Sequence, residues 1–275
     1  MTGRVGDYPV VFSFITFLLL FLQAVSFNKL VNDQRMLQKP NYLTGMSYLL
    51  VTSLFSEWFA LSAALMANTI LVWVWSRLST LHNNTAARST IFNIGLVIGL
   101  ASFFYQPAIV FTLLFIVGLG ITRPFRLNEW LLGLIGILTS FYFYAAWLFL
   151  SDRWRVYKLP RVDVSLPSFH ETRWAVAAIV VVLLTMLPGA FFIRNNMRRQ
   201  VVQTRKSWQL IYLYFIVAAF VPFLNGNSFN SWILAAVPAS LIIGAAFFYP
   251  DRKWFPLFIH WAMVALSVAV GYFIR

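Results

Sequence analysis

Few residues in this 275-residue chain can do chemistry: it holds eight acids, three histidines and no cysteine. Glu57, in "SLFSEWF", and Asp7, in "MTGRVGDY", are the carboxylates placed to act as a base or to hold a cation. Arg153 and Arg155, in "SDRWRVYK", carry the forked guanidinium that clasps a phosphate through two parallel hydrogen bonds. Glu57 and Arg153 rank first, because each adjoins the end of an apolar segment and is held by it. Asp7 ranks third, on a short terminus. Tyr105 and Gln106, together with Asn225 and Asn227 of "NGNSFNS", are candidate ligand contacts. So is His260, since an ionisable group within a span is costly and often functional. His82, His170 and His260 fall at different depths, so no metal site is expected, and no cofactor. Without cysteine there is no disulfide, iron–sulfur or thiol chemistry.

The elements that must position these residues are strongly apolar. The chain is 60% hydrophobic and only 11% charged, where a soluble domain carries about a quarter charged residues. Ten apolar segments recur, near 9–28, 42–56, 58–76, 91–105, 107–122, 130–150, 174–193, 209–224, 232–249 and 254–273. The expected fold is an all-α polytopic transmembrane bundle of about ten spans, one integral membrane domain over 1–275. Several segments are only about 15 residues long, a length that suits tilted hairpins or re-entrant elements. The longest polar break, 151–173, is too short to bury a core of its own.

The stretch "NIGLVIGLASFFYQPAIVFTLLFIVGLGITRPF" shows how such segments divide. As one helix it would rise about 45 Å, well beyond the hydrocarbon thickness. Pro107 disfavours helix at the residue before it, so a hairpin with Tyr105-Gln106-Pro107 at its tip is expected. Gly95 and Gly99 make a Gly-x-x-x-Gly pair, a signal for close helix packing.

Threading the segments alternately puts 14 of the 21 basic residues on one set of loops, around 29–39, 77–88, 123–126, 194–206 and 252–253. By the positive-inside rule that set is cytoplasmic. Glu57, the Tyr105 tip, the 151–173 loop and the 225–231 stretch then face outward, as do both termini. An outward start with so short a leader predicts that a preceding span is missing. The net charge of +13 is read as orientation and attraction to membrane lipids, not nucleic-acid binding.

Several phrases carry a resemblance: "KPNYLTGMSYLLVTSLF", "IFNIGLVIGLASFFYQPAIVF", "RPFRLNEWLLGLIGILTSFY" and "NSWILAAVPASLIIGAAFF". From about residue 10 onward the chain resembles a family of uncharacterised bacterial polytopic inner-membrane proteins, often mislabelled as β-carotene monooxygenases. Two departures stand out. The family usually has another hydrophobic segment first, and often Pro-Pro where Val237-Pro238 stands here. The monooxygenase label implies iron held by four histidines, which three histidines on different levels cannot supply. In arrangement alone the chain is also similar to membrane glycosyltransferases that use polyprenyl-phosphate sugars. That likeness would place Asp7 in the first outward loop and Glu57 in the next.

The reading that follows is an inner-membrane protein with a scaffold or accessory role in envelope biogenesis. The alternatives are a lipid-linked-sugar glycosyltransferase or polymer-processing enzyme, which would use a polyprenyl-phosphate-linked substrate, and a transporter. The charge asymmetry makes a direct prediction. A cysteine introduced at Ser165 reacts with an impermeant maleimide in intact spheroplasts, and one at Gln203 does not; the opposite labelling overturns the topology.

Overall fold

The computed structural model describes residues 9–83, 87–154, 173–224, 229–252 and 254–273. Among them the chain forms ten α-helices and no strand. They are α1 (Pro9–Asp33), α2 (Leu43–Ser53), α3 (Ala63–Thr80), α4 (Ala87–Phe104), α5 (Phe111–Thr122), α6 (Leu127–Leu150), α7 (Arg173–Met197), α8 (Val202–Phe220), α9 (Ile233–Phe248) and α10 (Trp254–Phe273). Each expected apolar segment falls on one of them. Seven, all but α2, α3 and α5, are long and apolar enough to cross a membrane. By length and composition this is a multi-pass membrane protein.

The other three explain why the expected count of ten spans and the count of seven differ. The 11 residues of α2 rise only about 16 Å against a hydrocarbon core of about 30 Å. Helix α5 has 12 residues, and α3 carries Asn68 and Arg77 among its apolar residues. Tyr105 is extended (φ −142°, ψ 101°) and Gln106–Val110 forms a 3₁₀ turn before α5, so the tip lies where Pro107 predicted it.

The helices group into two compact units. The first holds α1, α2, α7, α9 and α10. The second holds α4, α5 and α6, with α3 from Met66 and α8 from Lys206.

In the first unit α1 buries Leu20, Gln23, Ala24, Phe27, Asn28 and Val31 at helical spacing, while Phe14, Phe17, Phe21 and Val25 stay exposed. An apolar outer face is what hydrocarbon solvent requires. α9 is buried at every position from Ile233 to Phe247. Its alanines, with Gly189 of α7 and Gly244, bring backbones together. A Cβ on Gly189 would collide with the Ile242 carbonyl, and one on Gly244 would lie 3.3 Å from the Thr44 Cα. Pro238 lies inside this helix and Pro188 inside α7.

In the second unit α4 and α6 run parallel and form the most extensive helix pair. A Cβ on Gly95 would strike the Gly133 carbonyl, and one on Gly136 the Phe92 carbonyl. One on Gly99 would lie 2.8 Å from the Ser140 Cβ. Ser140 Oγ donates to the Leu96 carbonyl at 2.8 Å, and Phe103 packs on Phe141 and Tyr144 with ring centres 5.2 and 5.0 Å away. The Gly-x-x-x-Gly signal therefore marks a helix-to-helix face. Gly99→Leu is expected to lower stability in detergent by about 1–3 kcal/mol or to prevent folding, as overpacking does in a tight core. An unchanged thermal melting curve would place that face against lipid.

Candidate functional site

The described candidates divide between the two units. Glu57 is exposed in a 3₁₀ turn, Ser56–Phe59, between α2 and α3. Its level can be counted from the antiparallel packing of α1 and α2. Gly45 N–H donates to Asn28 Oδ1 at 3.1 Å, and the Tyr48 hydroxyl donates to Gln23 Oε1. Continuing that register, Ser53 lies near Leu18, so roughly 13 Å of α1 stands beyond it. Ser267 of α10 supports the same end, its Oγ donating to the Ser53 carbonyl at 3.1 Å. Glu57 thus occupies a recessed turn, not a loop level with the start of α1. His260 is half-buried on α10, its ring 5.7 Å from that of Trp261 and its Nδ1 without a hydrogen-bond partner.

In the second unit the Tyr105 hydroxyl donates to Ser231 Oγ at 2.8 Å, tying the hairpin tip to the 3₁₀ turn Phe229–Trp232. Burial raises the Tyr105 phenol above its usual pKa, and the Ser231 hydrogen bond opposes it. Gln106 is exposed at the tip. Arg153 is exposed just after α6, its N–H donating to the Leu148 carbonyl at 2.9 Å. Asp7, Arg155, Asn225 and Asn227 lie outside the described residues.

The strongest charged constellation is one that sequence reasoning had assigned to orientation alone. Pro124 ends α5, and Arg126 is extended at the start of α6. Glu129, in the first turn of α6, is buried. Arg123 Nε lies 3.0 Å from Glu129 Oε2, and Nη2 donates to Oε1 at 3.2 Å. Nη1 donates to the Leu81 carbonyl at 3.2 Å, so the guanidinium joins the region after α3 to the α5–α6 junction. Arg126 Nη1 lies 3.8 Å from Oε1 with its side chain mostly exposed, and Lys206 Nζ donates to the Thr122 carbonyl at 3.1 Å. The Arg-x-x-Arg-x-x-Glu spacing was the available signal. This carboxylate is clamped by a cation, which suits it to joining helices rather than to moving protons.

The first unit gathers amides instead. Asn28 and Asn32 both donate from Nδ2 to the Asn41 carbonyl at 2.9 Å, Asn41 N–H returns a bond to Asn32 Oδ1 at 3.2 Å, and Gln23 Nε2 donates to the Leu65 carbonyl at 2.9 Å. Gln23 and Asn28 are buried, as is Tyr48. Amides neither titrate nor attack, so this network fixes α1 against α2 and the start of α3. Its signal was Asn28 and Asn32, one helical turn apart at the end of an apolar run.

A family described as "Family of unknown function (DUF6427)" matches residues 4–274. No curated protein and no solved structure matches the chain.

The clamp makes an asymmetric prediction. Glu129→Gln, which leaves the partly buried Arg123 without a counter-charge, is expected to cost about 3 kcal/mol of stability in detergent. The pair Arg123→Met with Glu129→Leu is expected to recover most of that loss, because removing both charges removes the unpaired one. Strictly additive losses in the double variant would show that the two side chains are not coupled.

Proposed function

The chain belongs to DUF6427, a family of unknown function, and we propose that it is a multi-pass protein of the bacterial inner membrane with a scaffold or accessory role in building the cell envelope. One observation carries this reading. The buried polar clusters, Arg123–Glu129 in one unit and the Gln23, Asn28, Asn32 and Tyr48 network in the other, are turned to holding helices together. Polar groups used this way stabilise a fixed bundle face for partners to recognise. They do not prepare a nucleophile or a base.

A second reading, a glycosyltransferase using polyprenyl-phosphate-linked sugar, draws on the recessed and exposed position of Glu57. In that reading Glu57 deprotonates the acceptor and Arg153 meets the phosphate. Complementation of a deletion strain separates the two. Under the scaffold reading, Glu57→Gln and Arg153→Lys both restore the envelope phenotype at normal abundance on an immunoblot. Failure of either variant at normal abundance would replace the scaffold reading with the enzyme.

A further inference from the structure

We propose that the first unit carries a preorganised site for anionic phospholipid headgroups, built on the connection after α1, the end of α7 with the connection that follows it, and the connection after α9. The phosphate contacts are Arg35, Lys39, Arg194, Arg198, Arg199 and Arg252. This deepens the inner-membrane reading, since it assigns the lipid class that one end of the unit recognises.

The connections carrying these cations are tied together. Gln200 Nε2 donates to the Met36 carbonyl at 3.2 Å and reaches the Tyr249 hydroxyl at 3.5 Å. Thr204 Oγ1 donates to the Gln34 carbonyl at 3.4 Å, and Gln38 Nε2 reaches Asn196 Oδ1 at 3.5 Å. The segment after α1, the end of α7 and the end of α9 therefore meet around Gln200, and all six cations lie within a few residues of those ties. All six are exposed.

The backbone at Arg35 is the second observation. α1 ends in a Schellman motif: Met36 N–H bonds to the Val31 carbonyl at 3.2 Å and Arg35 N–H to the Asn32 carbonyl at 3.0 Å. The residue at the left-handed position of this cap is ordinarily glycine, because a side chain there is strained. Here it is Arg35, with φ 50°. Its neighbours Gln34 and Met36 are buried, so the turn anchors the chain on both sides and holds the guanidinium outward. A strained arginine where glycine would cap the helix better points to a use for its charge.

Charge pairing supports the same conclusion. The second unit's Arg123 and Arg126 are held by Glu129. Among the described residues none of these six cations makes an ion pair, although Asp33 and Asp251 belong to the same end. Exposed and without an acidic partner among the described residues, they are open to an anion from outside the chain. Aromatic side chains identify its source. Tyr42 is 86% exposed and Trp254 is 63% exposed, each a few residues from these cations, and such rings rest at the level of lipid headgroups. Arginine forks at that level match a lipid phosphate bidentately.

Two measurements test the proposal. Lipids that co-purify with the protein, quantified by mass spectrometry, are expected to be enriched several-fold in phosphatidylglycerol and cardiolipin over the bulk membrane. Arg198→Gln is expected to lower that preference about fivefold, from the roughly 1 kcal/mol that one basic residue contributes near an anionic surface. The second measurement is the melting temperature in nanodiscs of phosphatidylcholine with and without phosphatidylglycerol. Wild type is expected to melt higher with the anionic lipid. Arg35→Gly relieves the cap, so it is expected to melt at or above wild type in phosphatidylcholine yet to gain less from phosphatidylglycerol. A purely structural Arg35 would leave that gain unchanged, which would overturn its assignment as a contact. Absence of enrichment overturns the site. So does equal stabilisation by millimolar inorganic phosphate, which would mark a soluble-anion site, or co-purification of an acidic protein lost with Arg198→Gln.

Discussion

Close approach of helix backbones is the constraint from which the rest of this structure follows. Hydrocarbon offers no hydrophobic force between helices, so they associate through contact and interhelical hydrogen bonds. Contact is best where side chains vanish. Gly95, Gly99 and Gly136 let α4 and α6 lie nearly backbone to backbone, Gly133 makes room for the Phe115 ring of α5, and Ser140 adds a hydrogen bond across the seam. Gly189 on α7 and Gly244 on α9 do the same in the first unit. The large side chains are displaced outward as a result, and so aromatic and aliphatic residues cover the lipid-facing side of α1 and α6.

Once backbones are that close, polar side chains inside the bundle can reach carbonyls on a neighbour. Each amide of Gln23, Asn28 and Asn32 is short enough to bridge only because α1 and α2 touch at Gly45, where an added Cβ would sit 3.2 Å from the Ala24 carbonyl. The bonds in turn permit short helices. α2 ends well before α1 does, and a helix end inside a membrane survives only where its backbone groups find protein partners. The Ser53 carbonyl finds one in Ser267.

Much of this was legible in the sequence and some was not, for physical reasons. Apolar runs and their breaks reflect how much of each segment lies in hydrocarbon, and all ten helices fall on them. Pro107 placed a hairpin tip through a rule of local sterics, and Gly95/Gly99 marked a packed face through the absence of side chains. The depth of Glu57 was not legible, because hydropathy carries no register between one helix and the next; the pairings of Gly45 with Asn28 and of Tyr48 with Gln23 supply it. Glu129 was hidden for a related reason. An acid in a basic loop looks solvated until the fold seals it, and the sealing comes from Arg123, whose other partner, Leu81, is 42 residues earlier in the chain.

Helix polarity connects the charge asymmetry in the sequence to these individual contacts. Carbonyls left over at a helix C-terminus attract cations, and N–H groups at an N-terminus attract anions. Arg123 caps the C-terminus of α5, and Lys206 binds the Thr122 carbonyl beside it. Glu129 stands in the first turn of α6, a few residues later. The pair therefore lies where one helix ends and the next begins, each charge on the terminus that favours it, and the short junction around Pro124 keeps them in reach. At the end of α1 the same polarity favours Arg35, but the helix that follows opens with Leu43, Thr44 and Gly45 and presents no acid. The difference between a closed ion pair in one unit and open cations in the other thus comes down to whether the next helix starts with a carboxylate.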